Sequence, residues 1–260
     1  MTLQVPIHTE IADKQFVLAT DLDGTFLGGT ADAREILYNW IEDNRDSIGL
    51  IFVSGRHPEF IHDLCDSFGV PMPDFVIADV GTTIAQVHSP GLILPVPHLE
   101  APIADAWAGK SEKVSALMQD IPGLTLQDTP FRHRLSYDIA PEGFRQSDLE
   151  PVRALEVDVL VSDNRFVDVL PHGISKGPTL HRVLKTLGIA PERVLTAGDT
   201  LNDISMLTAG LKAVAVGGSE QALYDNLPES STIYRARGEG AAGILEAISV
   251  FGLHSTPRSF

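Results

Sequence analysis

With 260 residues, 43% of them hydrophobic, and a single cysteine, the chain can bury a sizeable core, in one large domain or in a core plus a smaller one, and can form no intrachain disulfide. Its formal net charge of -16 excludes nucleic acid as a partner, since that binding is carried by basic contacts to phosphates. A small phosphorylated molecule is not excluded, because distant carboxylates are screened beyond about 8 Å at physiological salt and local cations or a metal can still draw an anion in.

Taken in chain order, residues 1–14 lack the basic flank and apolar block of a secretory signal. No apolar run anywhere approaches a membrane span, so the expectation is a cytoplasmic protein with no membrane partner. Residues 16–20 are an apolar run that delivers Asp21-Leu22-Asp23-Gly24-Thr25, and residues 50–53 deliver Ser54-Gly55-Arg56; both read as buried parallel strands. Ile36, Leu37, Trp40 and Ile41 form a helical stripe between them. A second stripe, Phe60, Ile61, Leu64, Cys65 and Phe68, is stopped by Gly69 and makes Cys65 a core thiol rather than a nucleophile.

From residue 86 to 168 the pattern changes. Prolines at 90, 95, 97 and 102 precede a helical segment containing Val114, Leu117 and Met118, and then alternating strands with Leu135, Tyr137, Ile139 and with Val157, Val159, Val161. This predicts an inserted α+β domain over 86–168 with an antiparallel sheet, placed after the second strand. The doubly wound pattern then resumes. Leu180, Val183, Leu184 and Leu187 make a helix ended by Gly188, residues 193–197 and 212–216 are strands, and Ile244, Leu245, Ile248 and Val250 close the chain in a helix. The fold class is therefore α/β, a Rossmann-like doubly wound parallel sheet over 1–85 and 169–260 carrying one insertion.

If the strands before Asp21 and before Gly198-Asp199-Thr200-Leu201-Asn202-Asp203 are neighbours, four carboxylates, Asp21, Asp23, Asp199 and Asp203, meet at one sheet edge. Like charges so close repel by several kcal/mol unless a cation neutralises them. An all-oxygen set without cysteine or paired histidine favours a hard divalent ion, of which Mg2+ is the commonest that leaves positions open for phosphate. The chemistry these residues can perform is phosphoryl transfer. Asp21 can attack phosphorus, and Asp23 can protonate the leaving alkoxide and then deprotonate water. Ser54, with Gly55 behind it, and Lys176 can hold the phosphate oxygens, while Asp199 and Asp203 ligate the metal. Thr25 and Asn202 are supporting residues.

Taken together and in this order, the four segments Asp21–Thr25, Ser54–Arg56, Lys176-Gly177 and Gly198–Asp203 resemble the motifs of haloacid dehalogenase superfamily phosphatases. The place of the insertion is similar to that of the second cap class, the IIB subgroup. Over nearly the whole chain the likeness is to sucrose-phosphate phosphatases, carried by 73–77, 80–82, 135–137, 167–171, 234–236 and 243–248. That resemblance implies removal of phosphate from a disaccharide phosphate such as sucrose 6-phosphate, with cap residues recognising the sugar. Two departures bear on the sugar rather than on the chemistry: His172 stands where those relatives tend to have glutamine, and Thr200-Leu201 replaces Ser-Gly. The alternatives are a broad-specificity hexose-phosphate phosphatase of the same fold and a metal-dependent nucleotide-sugar glycosyltransferase, which has no use for Lys176. Candidates for contact with the substrate are Arg56, His57, Thr82, Arg165 and His172, with Tyr137 or Trp107 stacking on a sugar ring.

Overall fold

The computed structural model describes residues 10–88, 91–130, 132–140 and 142–257; the first nine residues of the N-terminal segment lie outside it. The chain opens with β1 (Phe16–Thr20), β2 (Ile48–Val53), β3 (Phe75–Ala78), β4 (Thr83–His88) and β5 (Leu92–Pro95). It continues with β6 (Leu124–Leu126), β7 (Leu135–Ile139), β8 (Val157–Ser162) and β9 (Phe166–Pro171), then β10 (Val194–Gly198), β11 (Lys212–Gly217) and β12 (Ile233–Glu239). Eight strands form one sheet in the order β12-β11-β10-β1-β2-β3-β4-β5, and the other four form a second sheet in the order β6-β7-β9-β8.

The first sheet is parallel from β12 to β3 and turns antiparallel at β4 and β5. Alternate residues of each central strand feed opposite layers, as the pleat requires. Phe16, Leu18 and Phe52 pack with Trp40, Ile41, Ile244 and Ile248 on one face. Val17, Ala19 and Ile51 pack with Leu180, Val183 and Leu184 on the other. Both faces are covered, which is why these strands read as continuous apolar runs. The predicted helix stops are present: Gly69 and Gly188 adopt left-handed conformations after the helices Pro58–Phe68 and Lys176–Leu187. Phe68 and Val250 differ from expectation in being exposed, both falling in the last turn of their helices, and Leu117 is exposed as well. Cys65 is buried, and burial pushes its thiol up to about 11, so it is an inert core group.

The insertion departs from its predicted limits. Position 86 falls inside β4 and position 168 inside β9. The chain adds β3, β4 and β5 to the first sheet before leaving it, since Ile84 and Ala85 are fully buried against that sheet's core. At the far end β9 pairs with β8 over its whole length and with β7 over residues 166–169, and so belongs to the second sheet. One face of that sheet packs Leu135, Tyr137, Val167 and Val169 on Trp107, Val114 and Met118. The other face carries Ser136, Phe166, Asp168 and Ser162.

Candidate active site

β10, β1 and β2 are adjacent, with Thr20 in register with Ala197 on one side and Phe52 on the other. Their carboxyl ends therefore place Asp21 between the loop that starts at Asp199 and the loop that starts at Ser54. Ligand sites in open α/β sheets lie at this edge. Lys176, the first residue of the helix Lys176–Leu187, is wholly buried and donates to Asp21 Oδ1 at 2.6 Å, to Asn202 Oδ1 at 2.8 Å and to Asp203 Oδ1 at 2.5 Å. Thr25 Oγ1 donates to Asp199 Oδ1 at 2.5 Å. The other oxygen of Asp203 accepts from the backbone N–H of Asp199 at 2.9 Å and of Thr200 at 3.0 Å, so this carboxylate caps the turn and orients the lysine at once.

Two glycines make the crowding possible. Gly24 has φ 78°, and a Cβ there would lie 2.2 Å from Asp199 Oδ2. Gly81 has φ 99°, and a Cβ there would lie 2.4 Å from the carbonyl carbon of Ser175, just before Lys176. Only glycine lets these turns approach the site so closely.

One oxygen from each of Asp21, Asp199 and Asp203 can be chosen so that all lie within 4.8 Å of one another. Against three carboxylates stands one ammonium. Burial, with the Asp203 and Asp199 charges added, pushes Asp21 well up despite the pull of Lys176. Burial and then the Asp203 charge push Asp199 up to about 7, with Thr25 and Lys176 acting the other way. Burial draws the Lys176 ammonium down, but Asp203 and Asp21 more than reverse this and its pKa is raised. The uncompensated negative charge and all-oxygen donors fit a hard divalent ion such as Mg2+. Asp21 and Asp199 are the ligand candidates, since Asp203 already has both oxygens engaged.

A pH dependence follows from Asp199. An acid whose pKa rises on folding keeps its proton in the native state where the unfolded chain has lost it. Its stabilising effect is full below the ordinary carboxylate range and is lost as pH rises through about 7. Metal-free protein should therefore melt at lower temperature at about pH 8 than at about pH 5.5, and Mg2+ should recover more of the loss at the higher pH. At a hundredfold excess over Kd the recovery is about 2.7 kcal/mol. Calorimetry with chelator and with Mg2+ at both pH values checks this; an Mg2+ effect independent of pH contradicts it.

Asp23 is not part of the group of three. Its carboxylate is half exposed and held two-pronged by Arg56, Nε to Oδ2 at 2.8 Å and Nη2 to Oδ1 at 3.0 Å. Arg56 lies over the Phe60 ring at 4.5 Å, and the hydrogen bonds it donates to Asp23 raise its pKa. The spacing of two residues between Asp21 and Asp23 predicts a four-carboxylate cluster; the turn at Gly24 sends Asp23 to a guanidinium instead. Ser54 is buried at the end of β2, where its Oγ accepts from Arg56 N at 3.1 Å.

A cleft of about 470 Å3 opens above this edge. Asp21, Asp23, Gly55, Arg56, Thr200 and Asn202 form its floor, and Gln127, Ser162, Asp163, Arg165, Phe166 and Asp168 its opposite wall. Of the substrate candidates, Arg56 and Arg165 line it, whereas Thr82, Tyr137 and His172 do not. Thr82 is fully buried, with its hydroxyl on Asp79 O at 2.9 Å. Tyr137 points into the apolar layer of the second sheet together with Leu135. His172 is exposed and sits 2.8 Å from Asp158 Oδ1. Trp107 is likewise core, and His57 lines a separate pocket beside Asp79. Gln127, Asp163 and Phe166 are cleft residues that the motifs did not mark. The signal that finds Phe166 is strand alternation, since it lies out of phase with Val167 and Val169.

A family model described as Sucrose-6F-phosphate phosphohydrolase matches residues 14–252. A glucosylglycerol-phosphate synthase from Pseudomonas anguilliseptica is 40% identical over 91% of this chain, which spans 31% of that relative's length. Sucrose-phosphatase 1 from Nicotiana tabacum is 30% identical over 84% of this chain, which spans 54% of it. Among solved structures, the sucrose-phosphatase of Synechocystis in complex with sucrose and phosphate aligns with a TM-score of 0.82 at 27% identity, covering 93% of this chain and 100% of that one.

Proposed function

Because the chain belongs to the sucrose-6F-phosphate phosphohydrolase family, we propose that it hydrolyses the phosphomonoester of a glycosylated substrate, a disaccharide phosphate or a related glycosyl phosphate, through a phosphoryl group carried on Asp21. The observation that carries this reading is one cleft whose floor holds Asp21 and Asp23 and whose roof is a separate sheet bearing Gln127, Ser162, Asp163, Arg165 and Phe166. The reacting end and the recognising end belong to different layers of the molecule.

A carboxylate oxygen of Asp21 attacks phosphorus, and the ester bond to the sugar oxygen breaks. The departing alkoxide takes its proton from Asp23. Arg56 holds the Asp23 carboxylate with two hydrogen bonds, and an entering phosphate dianion competes for that guanidinium, releasing Asp23 toward the leaving oxygen. In the second step Asp23, now a base, takes a proton from water, whose oxygen attacks phosphorus and returns Asp21 as a carboxylate with release of phosphate. Lys176 neutralises Asp21 throughout and is fixed by Asp203 and Asn202. Asp21 and Asp199 would hold Mg2+, which when bound would supply positive charge to offset repulsion between carboxylate and phosphate. The sugar meets a wall that offers an amide, a hydroxyl and a carboxylate for hydrogen bonding and the Phe166 ring, 5.1 Å from the Arg165 guanidinium, for an apolar sugar face.

Phosphate release measured across sucrose 6-phosphate, glucosylglycerol phosphate, hexose phosphates and p-nitrophenyl phosphate with Mg2+ tests the reading; no release from any ester rejects it. Asp23→Ala should cost sugar phosphates about 10²- to 10⁴-fold. It should cost p-nitrophenyl phosphate far less, because nitrophenolate leaves without a proton. Equal losses on both would remove Asp23 from the role of acid. Phe166→Ala should raise KM for the preferred glycosyl phosphate about three- to tenfold, the range of an aromatic contact, and leave glycerol phosphate unaffected. An unchanged KM for the glycosyl phosphate would place the ring outside the sugar site.

A further inference from the structure

Arg134 stands immediately before β7 and is nearly inaccessible, with its side chain 6% exposed. Its guanidinium reaches in two directions. Within the second sheet, Nη1 donates to Asp168 Oδ1 at 2.8 Å and to the Ser136 hydroxyl, and Ser136 and Asp168 are directly paired across β7 and β9. Toward the first sheet, Nη2 donates to Gly55 O at 3.0 Å and to Asp79 Oδ1 at 3.1 Å. Gly55 lies between Ser54 and Arg56. Asp79 begins a turn in which Asp79, Val80 and Gly81 all have positive φ, and Val80 lines the cleft. A β-branched residue in the left-handed region is strained and persists only where its surroundings hold it.

The two loops that Arg134 touches are already tied together without it. Ser54 N donates to Ile77 O, Val80 N to Ser54 O and Asp79 N to Arg56 O. The phosphate end of the site therefore stands on the first sheet alone, and what Arg134 adds is the placement of the second sheet over it. We propose, on the phosphatase reading above, that Arg134 is a positioning residue: it bridges Asp168 and Ser136 of the cap to Asp79 and Gly55 of the core, fixing the cap wall at the distance from Asp21 that a glycosyl phosphate requires. Because Arg134 adjoins β7, it travels with the cap. Opening the cleft breaks its bonds to Asp79 and Gly55, and closing remakes them, so the guanidinium is a charged contact across which the lid docks.

Lysine keeps the charge but presents one ammonium where a planar fork serves four acceptors. Arg134→Lys should keep the fold, and Arg134→Met, which strands two buried carboxylates, serves as the severe variant. The experiment measures kcat and KM for sucrose 6-phosphate, or the best glycosyl phosphate of the panel, and for p-nitrophenyl phosphate. It also measures the distance distribution between spin labels at Glu112→Cys in the cap and Glu192→Cys in the core, both exposed positions. The expected result is a loss of at least 30-fold in kcat/KM for the glycosyl phosphate in Arg134→Lys, with p-nitrophenyl phosphate within about threefold, and a broadened distance distribution. Equal losses on both esters, or none on either, overturn the proposal. If the wild type hydrolyses neither ester, the phosphatase reading fails by itself. The spin-label distances then decide: broadening in Arg134→Lys supports the docking role, and an unchanged narrow distribution overturns it.

Discussion

Asp21→Asn is expected to abolish phosphate release while leaving the fold intact. Among the described residues, this side chain is the only carboxylate that reaches both the Lys176 ammonium and the floor of the cleft. An amide in its place cannot form the phosphoryl intermediate, and loss of a nucleophile of this kind costs about 10³-fold or more in kcat. The stability effect has the opposite character. In the absence of metal, Asp21 is buried with a raised pKa beside two further carboxylates, so replacing it by a neutral isostere removes repulsion. The variant should melt no lower than wild type without Mg2+ and gain less from Mg2+. Residual turnover above about a thousandth of wild type would assign the nucleophile elsewhere.

Lys176→Met should be the most damaging single change to both stability and turnover. Removing the ammonium leaves Asp21 and Asp203 buried without their shared counter-charge, and breaking a buried ion pair from one side costs about 3–5 kcal/mol. For a domain of this size that corresponds to a melting temperature lower by on the order of 10 °C. Phosphate release should fall to background even with saturating Mg2+. A second substitution, Asp203→Asn, should return part of the stability and none of the activity, because it removes a stranded charge without replacing the lysine's hold on Asp21. Melting curves and phosphate assays on the single and double variants separate the two effects. Unaltered melting in Lys176→Met would mean that the buried network carries no net stabilisation.

The floor of the site was legible because its signals are local. A buried parallel strand is an apolar run, and whatever follows it arrives at the carboxyl edge, so Asp21, Ser54 and Asp199 could be placed from their preceding residues alone. The roof was harder to read, since its residues act through partners far away in the chain. Arg134 looks like a solvated arginine until Gly55, Asp79 and Asp168 are brought round it. Tyr137 and Phe166 are both aromatic and both on strands of the second sheet, yet only the phase of alternation decides which enters the core and which the cleft. The insertion limits failed for a related reason. The antiparallel pair β4 and β5 resembles the insertion's own strands in composition, and only the pairing of β3 with β4 assigns them to the first sheet.

The second sheet and its helices form one unbroken stretch between β5 and Lys176, which makes this part of the gene separable by two crossovers. On the proposed function, recombination among relatives would exchange the stretch and change the substrate without disturbing Asp21, Lys176 and Asp199 at the edge of the first sheet. The exchange has one entry requirement. Asp79 remains behind in the recipient, buried and held in a left-handed turn, so an incoming segment must bring a cation to the place of Arg134 or leave that carboxylate stranded. Chimaeras that supply one should inherit the donor's substrate ranking, and those that do not should accumulate poorly.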